Sequence, residues 1–167
     1  IDTFADLVEK HGLRCGYLFH MHGAPEWAIR QYTHAWYVNS KGIAFEPAAR
    51  PNTPTGGWPG LCPDHEEVRT LTYRFIEQVT RHLGVREETA FFEPMNEPHM
   101  WVDWEQQEIH CYCEATRKVF RAWLRKRYGS LEELNWYWGR RHSCWEEVRP
   151  PRWTRVGYMD WYDWRLF

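Results

Sequence analysis

Four sets of residues have types and spacings that could do chemistry. Asn96-Glu97-Pro98 places a carboxyl beside a carboxamide just after a run of strand formers, Thr89 to Met95. A partly buried carboxyl keeps its proton towards neutral pH, so Glu97 can act as a general acid, while Asn96 can hydrogen-bond and orient a hydroxyl. A solvated Glu that caps the next segment is the plainer alternative for a lone tripeptide. His20-Met21-His22 follows an earlier predicted strand, and imidazoles bond hydroxyls readily, although a histidine pair there is as often structural. Trp58, Trp101 and Trp104 fall in loops that should border such a site, where broad indole faces suit the apolar side of a pyranose ring. The five cysteines (Cys15, Cys62, Cys111, Cys113, Cys144) are an odd number and do not form the pattern of a small disulfide scaffold. They lean towards reduced thiols or a metal site, and through that towards a cytoplasmic protein.

Alternating elements must position these residues. Asp2 to Gly12 reads as a helix, with Phe4, Leu7 and Val8 on one face and Gly12 suited to a left-handed stop. Leu13 to Phe19 follows as a strand. From His20 to Pro63 turn formers dominate, with one short helix expected around Pro25 to Arg30; a loop this long is usually functional or covers something. Asp64 is the expected cap of the next helix, whose apolar face is Val68, Leu71, Phe75, Ile76, Val79 and Leu83, and Gly84 stops it. Thr89 to Met95 is the second strand, leading into Asn96. A long helix then carries Val119, Phe120, Trp123, Leu124 and Tyr128. Ser130 and Glu133 form a capping box for another, which Gly139 ends. Trp123, Trp136 and Trp138 sit at helical spacing and read as core, whereas Glu146, Glu147 and Arg149 read as a solvated face. Tyr158 to Phe167 starts a last helix. The order α-β-loop-α-β-excursion-α is that of an α/β protein with a parallel sheet whose strand ends carry the site.

Composition narrows the classes. The 167 residues are 43% hydrophobic and 26% charged, ordinary for a soluble globular protein, but Trp contributes 12 of them. No apolar run approaches the ~18 residues of a spanning helix, which argues against a membrane protein. With 23 acidic and 21 basic residues and no basic block, the net charge of -2 argues against phosphate-driven nucleic-acid binding.

An ordered series sharpens the reading. His110-Cys111-Tyr112-Cys113, Phe120-Arg121-Ala122-Trp123-Leu124, Arg127-Tyr128-Gly129, Leu134-Asn135, Trp138-Gly139, Pro150-Pro151 and Asp163-Trp164 follow Asn96-Glu97 in that order. This series closely resembles the catalytic barrel of glycoside hydrolase family 42, the β-galactosidase family. The amino-terminal half is similar more loosely, through Gly12-Leu13, Ala24-Pro25-Glu26-Trp27 and Cys62-Pro63. The resemblance implies that residues 1–167 are a fragment of a single (β/α)8 TIM-barrel domain, roughly its third and fourth strands with long βα loops. It implies a retaining glycosidase with Glu97 as acid/base and with Asn96, His22, Trp58, Trp101 and Trp104 around the sugar.

Retention requires a second carboxylate ~5–5.5 Å away as nucleophile. In the family it comes from a later strand, expected outside this chain, so the fragment is expected to be inactive alone. Glu93 is too far back along its strand for that role and reads as barrel-interior or structural. Cys62, Cys111 and Cys113 match three of four positions that bind zinc in some members, with Thr116 at the fourth. His65 or His110 could substitute, and a structural zinc is therefore weighed against three cysteines that merely pack together. No other cofactor is required.

Two departures from the family keep other readings open. Met95-Asn96-Glu97-Pro98-His99 replaces Asp-Asn-Glu-Tyr-Gly, and an Arg usual before Cys-Pro is absent from Gly56 to Leu61. Asn-Glu-Pro is shared with barrel hydrolases of β-glucan, xylan or mannan. A non-catalytic Trp-rich carbohydrate-binding or interaction domain is the alternative from another class. The expected partner is a carbohydrate substrate, with no nucleic acid or membrane, and a homo-oligomer of the full-length protein stays open.

Overall fold

The computed structural model describes residues 1–19, 23–47, 59–95, 102–103, 108–152 and 155–167, with backbone alone at 102, 103 and 108. In chain order the elements are α1 (Asp2–Lys10), β1 (Cys15–Leu18), α2 (Glu26–Gln31), β2 (Tyr37–Val38), β3 (Ala44–Phe45), α3 (Glu66–Leu83), β4 (Thr89–Glu93), β5 (Val102–Asp103), β6 (Glu108–Ile109), α4 (Glu114–Tyr128), α5 (Leu131–Trp138) and α6 (Met159–Leu166). They form two compact units, one of Ile1–Thr33 with Pro47–His99 and one of His34–Glu46 with Met100–Phe167. The mixed α/β class expected from the sequence is the one observed.

The first unit is a β-α-β arrangement. Gly12, at φ +64°, turns the chain out of α1 and towards β1, a geometry that costs glycine little. β1 and β4 run parallel and adjacent, with Gly16 opposite Phe91, Tyr17 opposite Phe92 and Leu18 opposite Glu93. Side chains alternate across the sheet. On one face Phe19 is buried, stacking on Phe92 and meeting Phe75 of α3 edge-on, each at 5.9 Å between centroids. Leu18, Phe91 and Glu93 are exposed on the opposite face. A Cβ on Gly16 would come 2.4 Å from the Phe91 ring, so only glycine lets that ring lie across β1. Arg86 pairs with the buried Glu88 and reaches Asp6 of α1 at 2.5 Å. That pairing keeps the Glu88 charge from being buried alone, which would be strongly destabilising.

Two details of this unit correct the sequence reading. Asp64 does not cap α3. His65 is the cap residue and makes no side-chain cap bond, while the Asp64 carboxylate lies 4.0 Å from Cys62 Sγ, one residue too early for the helix. The predicted apolar face of α3 buries Val68 and Leu83 fully, Leu71, Ile76 and Val79 partly, and leaves Phe75 largely exposed.

The second unit packs three helices around Ile109, Tyr112, Phe120, Leu124, Leu134, Trp138, Val148 and Trp164. Asp163 of α6 is fully buried in that core. Its Oδ2 accepts from Tyr128 Oη at 2.5 Å and Trp138 Nε1 at 2.7 Å, and its Oδ1 lies 3.0 Å from Arg127 Nε. One carboxylate therefore ties α4, α5 and α6 together, with its charge paired by Arg127 and its Oδ2 accepting two hydrogen bonds. Trp123 and Trp138 pack as expected, but Trp136 is 75% exposed. Two residues from Trp138 is about 200° around a helix, so both cannot face the core.

The stretch from His20 to Pro63 holds more structure than expected. Besides α2 it contains a 3-10 turn, Thr33–Ala35, and the antiparallel pair β2–β3. Asn39 closes that hairpin by accepting the N–H groups of Lys41 and Ile43 on its side-chain oxygen, and Gly42 sits at φ +83°. A second small hairpin joins β5 and β6 within the excursion after β4. No helix among the described residues is long and apolar enough to cross a membrane.

Candidate functional site

The strand ends of the first unit carry the site's scaffold. Phe19 N–H donates to Glu93 O at 2.9 Å, so parallel β1 and β4 end level with each other. Segment 20–22, with His22, follows one end, and Asn96-Glu97 follows the other, three and four residues after Glu93. Side by side on one edge, adjacent parallel strands stand ~4.8 Å apart. That edge is where ligands bind in parallel α/β architectures. Asn96, Glu97, His22, Trp58, Trp101 and Trp104 all lie outside the described residues. Glu93 is within them, on the exposed face of the sheet beside Leu18.

The cysteines divide between the units. Cys62 is buried in the first, just ahead of α3. Cys111 and Cys113 are buried in the second, with their sulfur atoms within 4.8 Å of each other. Backbone donors converge on this pair. Cys111 Sγ accepts the N–H of Val38 and of Cys113, each at 3.3 Å. Cys113 is the N-cap of α4, and its Sγ accepts the Thr116 N–H at 3.4 Å. Tyr112, between them, is pinned by its N–H to Val38 O at 2.8 Å and by its hydroxyl to Pro151 O at 2.5 Å.

Such N–H donors, with the positive end of a helix, favour sulfur as thiolate, the form that binds metal. The donor set therefore fits a soft divalent cation such as zinc. Of the alternatives considered, His110 packs edge-on to Tyr37 and Phe45, and His65 serves as the α3 cap residue. The role of Val38, 73 residues from Cys111, had no signal in the sequence. Cys15 lies on β1 and Cys144 precedes a 3-10 turn; the neighbouring Cys15 side chain, with burial, pushes the Tyr17 phenol up to about 12.

Comparisons with known proteins give a consistent picture. The family model for glycoside hydrolase family 42, described as β-galactosidase, matches residues 1–167. β-Galactosidase BgaB of Geobacillus sp. (strain Y412MC61) is 25% identical over 157 residues, covering 91% of this chain and 21% of its own length. The β-galactosidase of Thermus thermophilus is 27% identical over 135 residues, covering 78% and 19%. The crystal structure of β-galactosidase from Bacillus circulans sp. alkalophilus superposes with a TM-score of 0.73 at 21% identity, over 90% of this chain and 21% of that one. The chain thus spans about a fifth of the length of the curated relatives it matches.

Proposed function

Because the chain belongs to glycoside hydrolase family 42, whose model matches all of residues 1–167, we propose that its protein hydrolyses terminal β-linked galactosides with retention of configuration. Glu97 is the acid/base in this reading. What supports it is that Asn96-Glu97 follows β4 in the sequence and that β4 ends level with β1 in a parallel pair. We read β1 and β4 as the third and fourth strands of the (β/α)8 barrel.

Protonated Glu97 donates to the glycosidic oxygen as the bond to the anomeric carbon breaks. A carboxylate from a later barrel strand, outside these residues, attacks that carbon and forms a glycosyl ester. Glu97, now a carboxylate, takes a proton from water, which displaces the ester and restores both groups. Asn96 and His22 hold sugar hydroxyls, and Trp58, Trp101 and Trp104 supply stacking faces. Cys111 and Cys113 hold a structural zinc, with Cys62 added from the sequence resemblance. Bound there, the ion would crosslink chain segments rather than take part in hydrolysis.

Glu97→Gln in the complete enzyme tests the assignment. Turnover of an unactivated aryl β-galactoside should fall about a thousandfold, the scale of a lost general acid. A dinitrophenyl galactoside, whose leaving group needs no proton, should lose far less in bond cleavage, and azide should yield the β-galactosyl azide. Equal losses on both substrates would sink the role. Faster cleavage of β-glucan, xylan or mannan fragments by the wild type would reassign the substrate.

A further inference from the structure

We propose that Thr116 occupies the place of a fourth zinc ligand and that its hydroxyl, bonded to Cys113 Sγ, sets how tightly the Cys111–Cys113 pair holds the metal; this rests on the zinc reading above. Thr116 is 2% exposed, and its Oγ1 lies 3.3 Å from Cys113 Sγ. Its backbone N–H meets the same sulfur at 3.4 Å. Two sulfur ligands at ~2.3 Å from a tetrahedral zinc stand about 3.8 Å apart, so Oγ1 is within about half an ångström of a ligand's spacing from Cys113. The rigid first turn of α4 fixes it there, because Cys113 is the N-cap and Thr116 the third residue after it.

A neutral hydroxyl is not among the ligands zinc selects. Thr116 therefore keeps its proton and donates it in a hydrogen bond to the Cys113 sulfur. As zinc binds, each ligating thiol releases its proton to solvent, and the Thr116 hydroxyl stabilises the resulting sulfur charge without entering the coordination sphere. With Cys62 as a third ligand, as the resemblance implies, the site is one thiolate short of a closed four-thiolate site, and the Thr116–Cys113 hydrogen bond helps set its affinity.

The test is zinc competition against a chromophoric chelator, with thiols reduced and air excluded, on the complete protein and three variants. Thr116→Val keeps the shape of the buried residue and removes the donor. It should weaken zinc binding at least tenfold, in the range found for lost outer-shell hydrogen bonds. Thr116→Ser, which keeps the hydroxyl, should match the wild type. Thr116→Cys should tighten binding at least tenfold, and circular dichroism checks that all four fold alike. Unchanged affinity in Thr116→Val, or no gain in Thr116→Cys, overturns the proposal. Well under one zinc per wild-type chain overturns the zinc reading. If Thr116→Cys then takes up one equivalent, the assignment of the fourth place survives that loss; if it takes up none, both fall.

Discussion

The His142 imidazole is clamped against the second unit's core rather than left to solvent. Asn135 bonds its backbone from both sides, Nδ2 to His142 O at 2.8 Å and Oδ1 from His142 N at 2.9 Å. The ring stands edge-on to Trp138 at 6.2 Å. Burial holds the His142 pKa below its ordinary value; Glu147 opposes that shift and Arg140 adds to it. The folded chain thus resists a proton that the unfolded chain accepts near pH 6.5. Stability from this group is present above that pH and is lost as pH falls through it. The urea midpoint of the wild type should therefore drop between pH 7.5 and 5.5, and His142→Gln should flatten part of that slope. Parallel slopes for the two proteins would show that the imidazole stays as solvated when folded as when unfolded.

The helices show which elements local sequence can specify. Ser130 Oγ accepts the Glu133 N–H at 3.1 Å, and Gly139 ends α5 at φ +61°, as the Ser-x-x-Glu and Gly signals imply. Ser130→Ala should cost about 1 kcal/mol of stability by urea unfolding. Ser130→Asp should restore most of it, and a loss in both would point to packing instead of the cap. Local signals of this kind also located α1, α4 and the two main strands, because each spans several residues with one period. β2 and β3 were not legible: two-residue strands show no alternation, and their hairpin depends on the Asn39 side chain. The same limit applies to the candidate zinc pair, where Cys-x-Cys is readable but the Val38 donor comes from a distant hairpin. Of the catalytic proposal, only the order of motifs and the strand preceding Glu97 were readable, and of these the structure describes the strand.

On the scale of the whole chain, taken apart from the other barrel strands proposed above, solubility turns on what the first unit leaves uncovered. Leu18 and Phe91 are 48% and 60% exposed on the same face of the β1–β4 sheet. Contiguous apolar surface of that kind drives association unless charge opposes it. Net charge offers little opposition here, at -2 near neutrality with a pI of about 6.5. The 167-residue chain should therefore associate most strongly near pH 6.5 and less at pH 8.5, where its negative charge grows. Sedimentation velocity reads this as a fall in weight-average mass. Leu18→Lys places a cation opposite Glu93 in the parallel register and removes part of the apolar face. It should lower the mass at pH 6.5 although the net charge stays small in both proteins, which isolates the patch from the charge. Equal association of the variant would move the contact to another surface, such as exposed Trp136 and Tyr137 on α5.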